Sequence, residues 1–361
     1  MTSSHPVLER ARAFCEEYEI QVPILMAPMA GACPASLAIA VANAGGMGAC
    51  GTLLMQPDAI KAWASEVRAS SNGGFQLNLW IPDPAPERDL EHEAEVRAFL
   101  GQWGPEVEPD AGNAGPLDFD AQCQAMLDAG PSVISSIMGV YPEAFVAQMK
   151  ERNIKWWATV TTVAEAKEAV VAGADVVVAQ GMEAGGHRGA FEAGRAGVDL
   201  VGLFSLLPAV VDAVDVPVVA TGGIGDARGA AAAFMLGASA VQIGTGLLRS
   251  PEANLPSAWS DAIGQATPEG TVATRAFSGR LGRSIKTAYV ESANSDATPE
   301  PAPYPVQRGL TGAMRSQGTK DNDIDRLQAW AGQSAGLAQD LPAGEIVTSM
   351  WDGVQRLLEG S

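Results

Sequence analysis

The stretch that decides the fold is VPVVATGGIGDARGAAAAFMLGASAVQIGTG, residues 216–246. A short β-branched run enters a Gly-Gly turn, an alanine-rich segment follows and ends at a glycine, and a second apolar run, AVQI, passes into a second glycine-rich turn. Short apolar runs bounded by glycine read as buried strands, and glycine just past an amphipathic segment is where a helix stops in the left-handed conformation. Strand, helix and strand in about thirty residues form a βαβ unit, with parallel strands and a right-handed crossover.

Working outward, the same unit recurs toward the N-terminus. Strand candidates are ILMAPM (24–29), GMGACG (46–51), FQLNLW (75–80), SVISSIM (132–138), WWATVT (156–161) and DVVVAQ (175–180), with helical stretches such as PASLAIAVANAGG and TVAEAKEAVVAGA between them. With VPVVATGG (216–223) and AVQIGT (240–245) the candidates make a full ring of eight, whereas a doubly wound sheet typically uses about five or six strands. The expected fold is α/β: a (β/α)8 TIM barrel with a smaller, mostly helical C-terminal substrate or lid domain. The barrel should occupy residues 1–246, with a Pro-rich acidic insertion after strand three at 81–116. The lid region covers 247–340, where the alternation stops, and an amphipathic C-terminal helix within 341–361 completes the barrel.

Composition excludes several classes. The 361 residues carry 47% hydrophobic and 18% charged side chains, so a packed core is expected rather than disorder. A formal charge of −19 opposes binding to phosphate backbones, which excludes nucleic acid, and means that a pocket for a small anion needs its own local cations. No apolar run approaches the ~18 residues of a membrane span. The opening MTSSHPVLERARAFCEEYEI mixes acids with bases and lacks an apolar core before a cleavage site, so it reads as an amphipathic leading helix rather than a signal peptide. Cys15, Cys33, Cys50 and Cys123 have neither CxxC spacing nor companion histidines, so no metal site is expected and the thiols read as reduced, in a cytoplasmic protein.

In a barrel the C-terminal strand ends face the active site. Here they carry Met29, Asn78, Ser136, Thr159, Thr161, Gln180, Gly222, Gly223, Gly244 and Thr245. The glycine-rich turns after strands seven and eight offer backbone N–H donors, aided by a helix N-terminus, at the position where barrels grip phosphate. A dinucleotide fingerprint would sit after the first strand, so a mononucleotide such as FMN fits better. A side chain at Gly223 should crowd the phosphate, whereas one at Gly51 should not. Between strands six and seven lies QGMEAGGHRG (180–189): Gly185 and Gly186 permit close approach to a flat ring, and His187 projects into the mouth, suited to proton transfer or, when charged, to anion binding.

APMAGACPASLAIAVANAGGMGACG, QGMEAGGHRG, VVATGGIGDARGAAAAFMLGASAVQIGT, YPVQRGLT and WAGQSAGLA together resemble the nitronate monooxygenase family, formerly called 2-nitropropane dioxygenases, over about residues 20–340. The resemblance implies an FMN-binding TIM barrel that uses O2 to denitrify alkyl nitronates oxidatively, giving a carbonyl compound and nitrite or nitrate. It implies that Ala27, Pro28, Met29, Asn78 and Gln180 touch the flavin ring and that Gly185 lies beside it. Gly222, Gly223, Gly244 and Thr245 would hold the phosphate, His187 would be catalytic as base or anion holder, and Tyr304 would place an aromatic over the substrate pocket. Three departures are Cys33, where relatives often carry a small hydroxyl residue, the stretch SGRLGRSIKTAYV (278–290), which is only loosely like that of relatives, and the insertion at 81–116. The alternatives are a flavin-dependent NAD(P)H reductase, of the enoyl-acyl-carrier-protein reductase or quinone reductase kind, and a flavin-binding protein without turnover.

Overall fold

The computed structural model describes residues 6–113 and 115–359; the ends of the expected leading and closing segments, and Ala114 of the insertion, lie outside the described residues. The strands are β1 (Ile24–Met26), β2 (Gly48–Gly51), β3 (Phe75–Trp80), β4 (Val133–Ile137), β5 (Lys155–Val160), β6 (Val176–Gln180), the two-residue β7 (Gly186–His187), β8 (Val218–Thr221), β9 (Ala240–Ile243), β10 (Thr271–Thr274) and β11 (Gly282–Ile285). Eight of them form one parallel sheet in the order β1-β9-β8-β6-β5-β4-β3-β2. A parallel bridge between Leu25 and Met47 joins the two ends, with Met26 N–H donating to Met47 O at 3.0 Å, so the sheet closes on itself. All eight expected strands are present in the expected order. β1 is shorter than its apolar run, which leaves Ala27, Pro28 and Met29 in the mouth, where Ala27 N–H donates to Ile243 O at 2.8 Å.

Alternation along each strand sorts the barrel interior into layers. Val176 and Val178 of β6, Trp157 of β5, Val219 of β8 and Ala240 of β9 belong to one buried apolar cluster. The inward positions one step further along these strands are Gln180, Thr159, Thr221 and Gln242, because successive side chains point to opposite faces. The floor is therefore apolar and the mouth polar. Helix α1 (Pro6–Glu17) and the turn after it plug the floor, placing Phe14 and Tyr18 in the same cluster, and Trp157 Nε1–H donates to the Tyr18 hydroxyl at 3.0 Å.

Outside the ring pack α2 (Ala35–Asn43), α3 (Pro57–Ser70), α4 (Leu90–Leu100), α5 (Phe119–Ala129), α6 (Glu143–Glu151), α7 (Val163–Val171), α8 (Leu203–Val211) and α9 (Ala227–Met235), with α4 as the exception. α7 begins with a capping box in which Thr162 and Glu165 satisfy each other's orphan N–H groups. The chain then forms α10 (Ser257–Gln265), α11 (Ala288–Ala293), α12 (Val306–Leu310), α13 (Gly312–Asp321) and α14 (Ala343–Glu359). α14 lies against α9 and α2, with the Trp351 ring 5.7 Å from Phe234, on the flank of the ring between the eighth strand and the first.

The insertion at 81–116 is not an appendage of the barrel. Its α4 contributes Val96, Phe99 and Leu100 to a second core, shared with Phe277, Tyr289, Val306, Leu310 and Met314 from the region after residue 246. That region is less purely helical than the sequence suggests: β10, β11 and β7 make an antiparallel sheet in the order β10-β11-β7. Two-residue β7 carries no detectable alternation, so its pairing with a strand nearly a hundred residues away leaves no local sequence signal.

Candidate active site

A cavity of about 780 Å³ opens over the C-terminal ends of the barrel strands. Its lining includes Ala27, Pro28, Met29, Asn78, Gln180, Gly185, His187, Gly222, Gly223, Gly244 and Thr245, so one wall system brings these sequence-selected residues together. Thr159 lines it as well, while Ser136 and Thr161 do not. Ser136 Oγ instead accepts from Trp156 Nε1–H at 3.1 Å, and Thr161 Oγ1 donates to Glu165 Oε2 at 2.8 Å. Tyr304 lies behind the wall, its ring centroid 5.4 Å from that of Trp80, which does line the cavity.

The two glycine turns have the features an anion needs. Gly222 and Gly223 have φ of +99° and +71°, and a Cβ on Gly222 would stand 3.0 Å from Ala184 N, so the turn needs glycine for both backbone shape and space. Among the described residues, no protein acceptor takes the backbone N–H of Gly222, Gly223, Thr245 or Gly246. The α9 terminus does not share in this. Asp226 accepts from Arg228 N–H at 2.9 Å and Gly229 N–H at 3.3 Å, so those first-turn donors are already satisfied. The segment at 330–335 closes over both turns: Ser334 Oγ donates to Gly223 O at 2.7 Å and Gly332 N–H donates to Thr245 Oγ1 at 3.0 Å. Gly51 is a poorer comparison position than the sequence suggests, since a Cβ there would lie 2.6 Å from Ala30 N.

Deeper in the cavity, Gln242 is buried with its side-chain oxygen unpartnered. A buried acceptor without a donor costs ~1–3 kcal/mol, so this atom requires an N–H or O–H from whatever occupies the cavity. Together with the open donors of the turns, it makes the residues present fit a ligand with a phosphate at one end and a hydrogen-bonding ring at the other.

His187 is held from four sides. Gln180 Nε2–H donates to His187 O at 3.1 Å and Gln180 Oε1 accepts from Gly189 N–H at 2.8 Å, which fixes the backbone. The ring lies edge-on to two indoles, with centroids 4.5 Å from Trp80 and 4.8 Å from Trp330. Its Nε2 is 2.7 Å from Ser278 Oγ, and Arg280 O lies 3.2 Å from that hydroxyl as an acceptor for its proton. With the hydroxyl proton on Arg280 O, Nε2 carries the ring proton and Nδ1 the lone pair. Burial, and then the charges of Arg308, Arg280 and Arg315, push the imidazole down from its ordinary 6.5 to about 3, so it is neutral across the physiological range.

The local cations that an acidic protein needs for an anionic ligand are Arg308 and Arg315, both on the cavity wall. Arg315 donates to Gln328 Oε1 at 3.2 Å, Thr311 Oγ1 at 3.1 Å and Arg308 O at 2.9 Å. Among the described residues, the Arg308 guanidinium has neither a hydrogen-bond acceptor nor a carboxylate partner. Burial lowers the affinity of both groups for their protons, taking Arg315 down to about 10. Arg280, also buried, is instead neutralised by Asp83 at 2.8 Å, which ties the insertion to the wall behind His187. Sequence reasoning missed Trp80, Gln242, Ser278, Arg308, Arg315 and Trp330. Trp80, Gln242, Arg308 and Trp330 lay within the strand candidates and family motifs, but only the three-dimensional contact assigns them a place.

These features define a class first: a (β/α)8 enzyme whose site, with a neutral histidine and two cavity-facing guanidiniums, stands at the strand C-termini. The nitronate monooxygenase profile matches residues 12–353. A probable nitronate monooxygenase of Staphylococcus aureus (strain MSSA476) is 33% identical over 343 residues, covering 94% of this chain and 96% of that protein. Among solved structures, nitroalkane oxidase from Streptomyces ansochromogenes superposes with a TM-score of 0.85 at 33% identity, over 94% of this chain and 98% of the other. FabK from Thermotoga maritima gives 0.76 at 28% identity, over 96% and 97%. The chain belongs to the nitronate monooxygenase family and is an oxidoreductase acting on nitronates or nitroalkanes. Among the described residues no helix is long and apolar enough to cross a membrane, and no cluster of candidate metal ligands is found.

Proposed function

We propose that this protein is an FMN-dependent nitronate monooxygenase that converts alkyl nitronates and O2 to a carbonyl compound and nitrite or nitrate, in the cytoplasm. The observation that carries the reading is the neutral, indole-clamped His187 facing a cavity that also holds the unpaired Arg308. Ala27, Pro28, Met29, Asn78, Gln180 and Gly185 would hold the FMN ring, Gln242 would accept a hydrogen bond from it, and Gly222, Gly223, Gly244 and Thr245 would take its phosphate. FMN, when bound, supplies the redox chemistry that carries the substrate's electrons to O2. In this scheme residues 1–246 with 341–361 bind the cofactor, while 247–340 with the insertion cover the substrate, Tyr304 supporting the lid side through Trp80.

The chain's own groups divide the remaining work. Nδ1 of His187 takes the α-proton of a neutral nitroalkane, because its lone pair is free and the other ring nitrogen is committed to Ser278. The anion so formed, or a nitronate that arrives preformed, is held by Arg308 and Arg315. A ring uncharged at neutral pH supports the base role over that of a cationic anion holder. Trp80 and Trp330 keep water from the ring and fix its angle.

The likeness to FabK favours one second reading, an NAD(P)H-dependent flavin reductase. Anaerobic mixing of the purified holoenzyme with a nitronate and, separately, with NADH or NADPH separates the two, the flavin absorbance being followed. Bleaching by the nitronate, and recovery on admitting O2, is expected; rapid bleaching by the nicotinamide alone would overturn the monooxygenase reading in favour of the reductase.

A further inference from the structure

Two of the four cysteines, Cys33 and Cys50, come together in the cavity wall although 17 residues separate them. Cys33 lies in the turn after β1 and Cys50 on β2, and their sulfurs are 3.7 Å apart. Backbone and side-chain groups hold the pair in register: Gly51 N–H donates to Cys33 Sγ at 3.3 Å, and Cys50 Sγ is 3.5 Å from the Met55 sulfur. The arrangement is asymmetric. Hydrogen bonding from Cys50, joined by backbone N–H groups, draws the Cys33 thiol down against its burial, whereas Cys50 is raised. Cys15 and Cys123 lie elsewhere, outside the cavity lining, and burial pushes each up to about 12.

We infer that Cys33 and Cys50 form a redox-active dithiol at the active site, with Cys33 as the nucleophile and Cys50 as the resolving thiol, oxidised by hydrogen peroxide to a reversible disulfide. Both sulfurs are shielded from bulk solvent yet border a cavity wide enough for a molecule the size of water, so a small oxidant reaches them and a bulky one does not. In the first step the Cys33 thiolate attacks one peroxide oxygen; the S–O bond forms as the O–O bond breaks, and the departing hydroxide takes a proton and leaves as water. In the second, the Cys50 sulfur attacks Cys33, the S–S bond forms as the S–O bond breaks, and the proton lost from Cys50 leaves with the hydroxide as a second water. Two thiols lose two electrons and one peroxide gains them. The sulfurs must close from 3.7 Å to about 2 Å for the bond to form. The inference goes beyond the catalytic reading and does not depend on it.

The test is a thiol map of the holoenzyme. Protein treated with a few equivalents of hydrogen peroxide is quenched under denaturing conditions with an alkylating agent and digested for mass spectrometry. The expected product is a cross-linked peptide pair containing Cys33 and Cys50, with Cys15 and Cys123 fully alkylated and dithiothreitol restoring all four thiols. Cys50→Ser should stop the reaction at a sulfenic acid on Cys33 that dimedone traps, while Cys33→Ser should leave Cys50 alkylatable. Oxidation of Cys15 or Cys123 ahead of the pair, or Cys33 and Cys50 both remaining thiols under these conditions, overturns the inference. The wild-type map decides this even if a variant fails to fold.

Discussion

Replacing His187 by asparagine separates the two roles a histidine can play here. Asparagine is smaller, and its amide ends near the Nδ1 position, short of Ser278 Oγ, but β7 pairs through its backbone and the glycine turns lie elsewhere, so the strand pairing and the cofactor turns should survive. The structure also sets the size of the effect. General bases contribute typically ~10² to 10⁴-fold, most when their pKa lies near the working pH. His187 is held near 3, far below that range, so the loss should fall at the lower end, about 10²-fold in kcat/KM or ~2.7 kcal/mol in the barrier. The assay is oxygen uptake with a neutral nitroalkane and, in parallel, with its preformed nitronate, each rate normalised to flavin content. The neutral substrate should lose about a hundredfold while the nitronate loses less than about threefold. Equal losses on both forms would refute proton abstraction in favour of anion holding, and a wild-type enzyme that turns over only the nitronate would remove the base role altogether.

Arg308→Met deletes a cavity-facing cation that no carboxylate neutralises, so KM for the nitronate should rise about 10-fold or more at nearly constant kcat, the signature of lost ground-state binding. Asp83→Ala strands the buried Arg280 guanidinium; urea unfolding should show a loss of about 3 kcal/mol, and a neutral result would mean that solvent reaches Arg280. His187 also predicts a pH dependence of stability. Native His187 gains its proton only near 3 and an unfolded chain's histidine near 6.5, so between these values the unfolded state binds more protons and stability falls as pH falls from 6.5 toward 3. Thermal unfolding of wild type should therefore drop more between pH 7 and pH 4 than that of His187→Asn, and parallel curves would show that burial does not keep the ring neutral.

The barrel was legible because its signal is local and repeated. Each strand is a short β-branched run between glycines, and inward alternation makes Val176, Val178 and Gln180 succeed one another from floor to mouth, so the strand ends pointed to Asn78, Thr159 and Gln180. The glycine turns were legible for the same reason, since Gly222 and Gly223 adopt backbone angles that other residues avoid. What surrounds His187 was not. Trp80, Ser278, Arg308 and Trp330 come from β3, the loop before β11, α12 and the segment after α13, and no periodicity links positions that far apart. Ser136 and Thr161 show the converse error. A strand-end position is open to the cavity only if no neighbouring Trp156 or Glu165 has already claimed the hydroxyl.

The pairing of Gly186 and His187 with Arg283 and Gly282 means that the histidine belongs to two architectures at once: its chain position is in the barrel, its hydrogen-bond ladder in the smaller sheet. A chimera that exchanged only residues 247–340 between relatives would put a foreign β11 beside a native β7 and leave Ser278 and Trp330 mismatched to the ring they orient. The transplantable unit is discontinuous, comprising the later region, the insertion with Asp83 and the few residues of β7, and recombination breakpoints that respect it should yield active hybrids where a cut at residue 246 yields folded but inert ones.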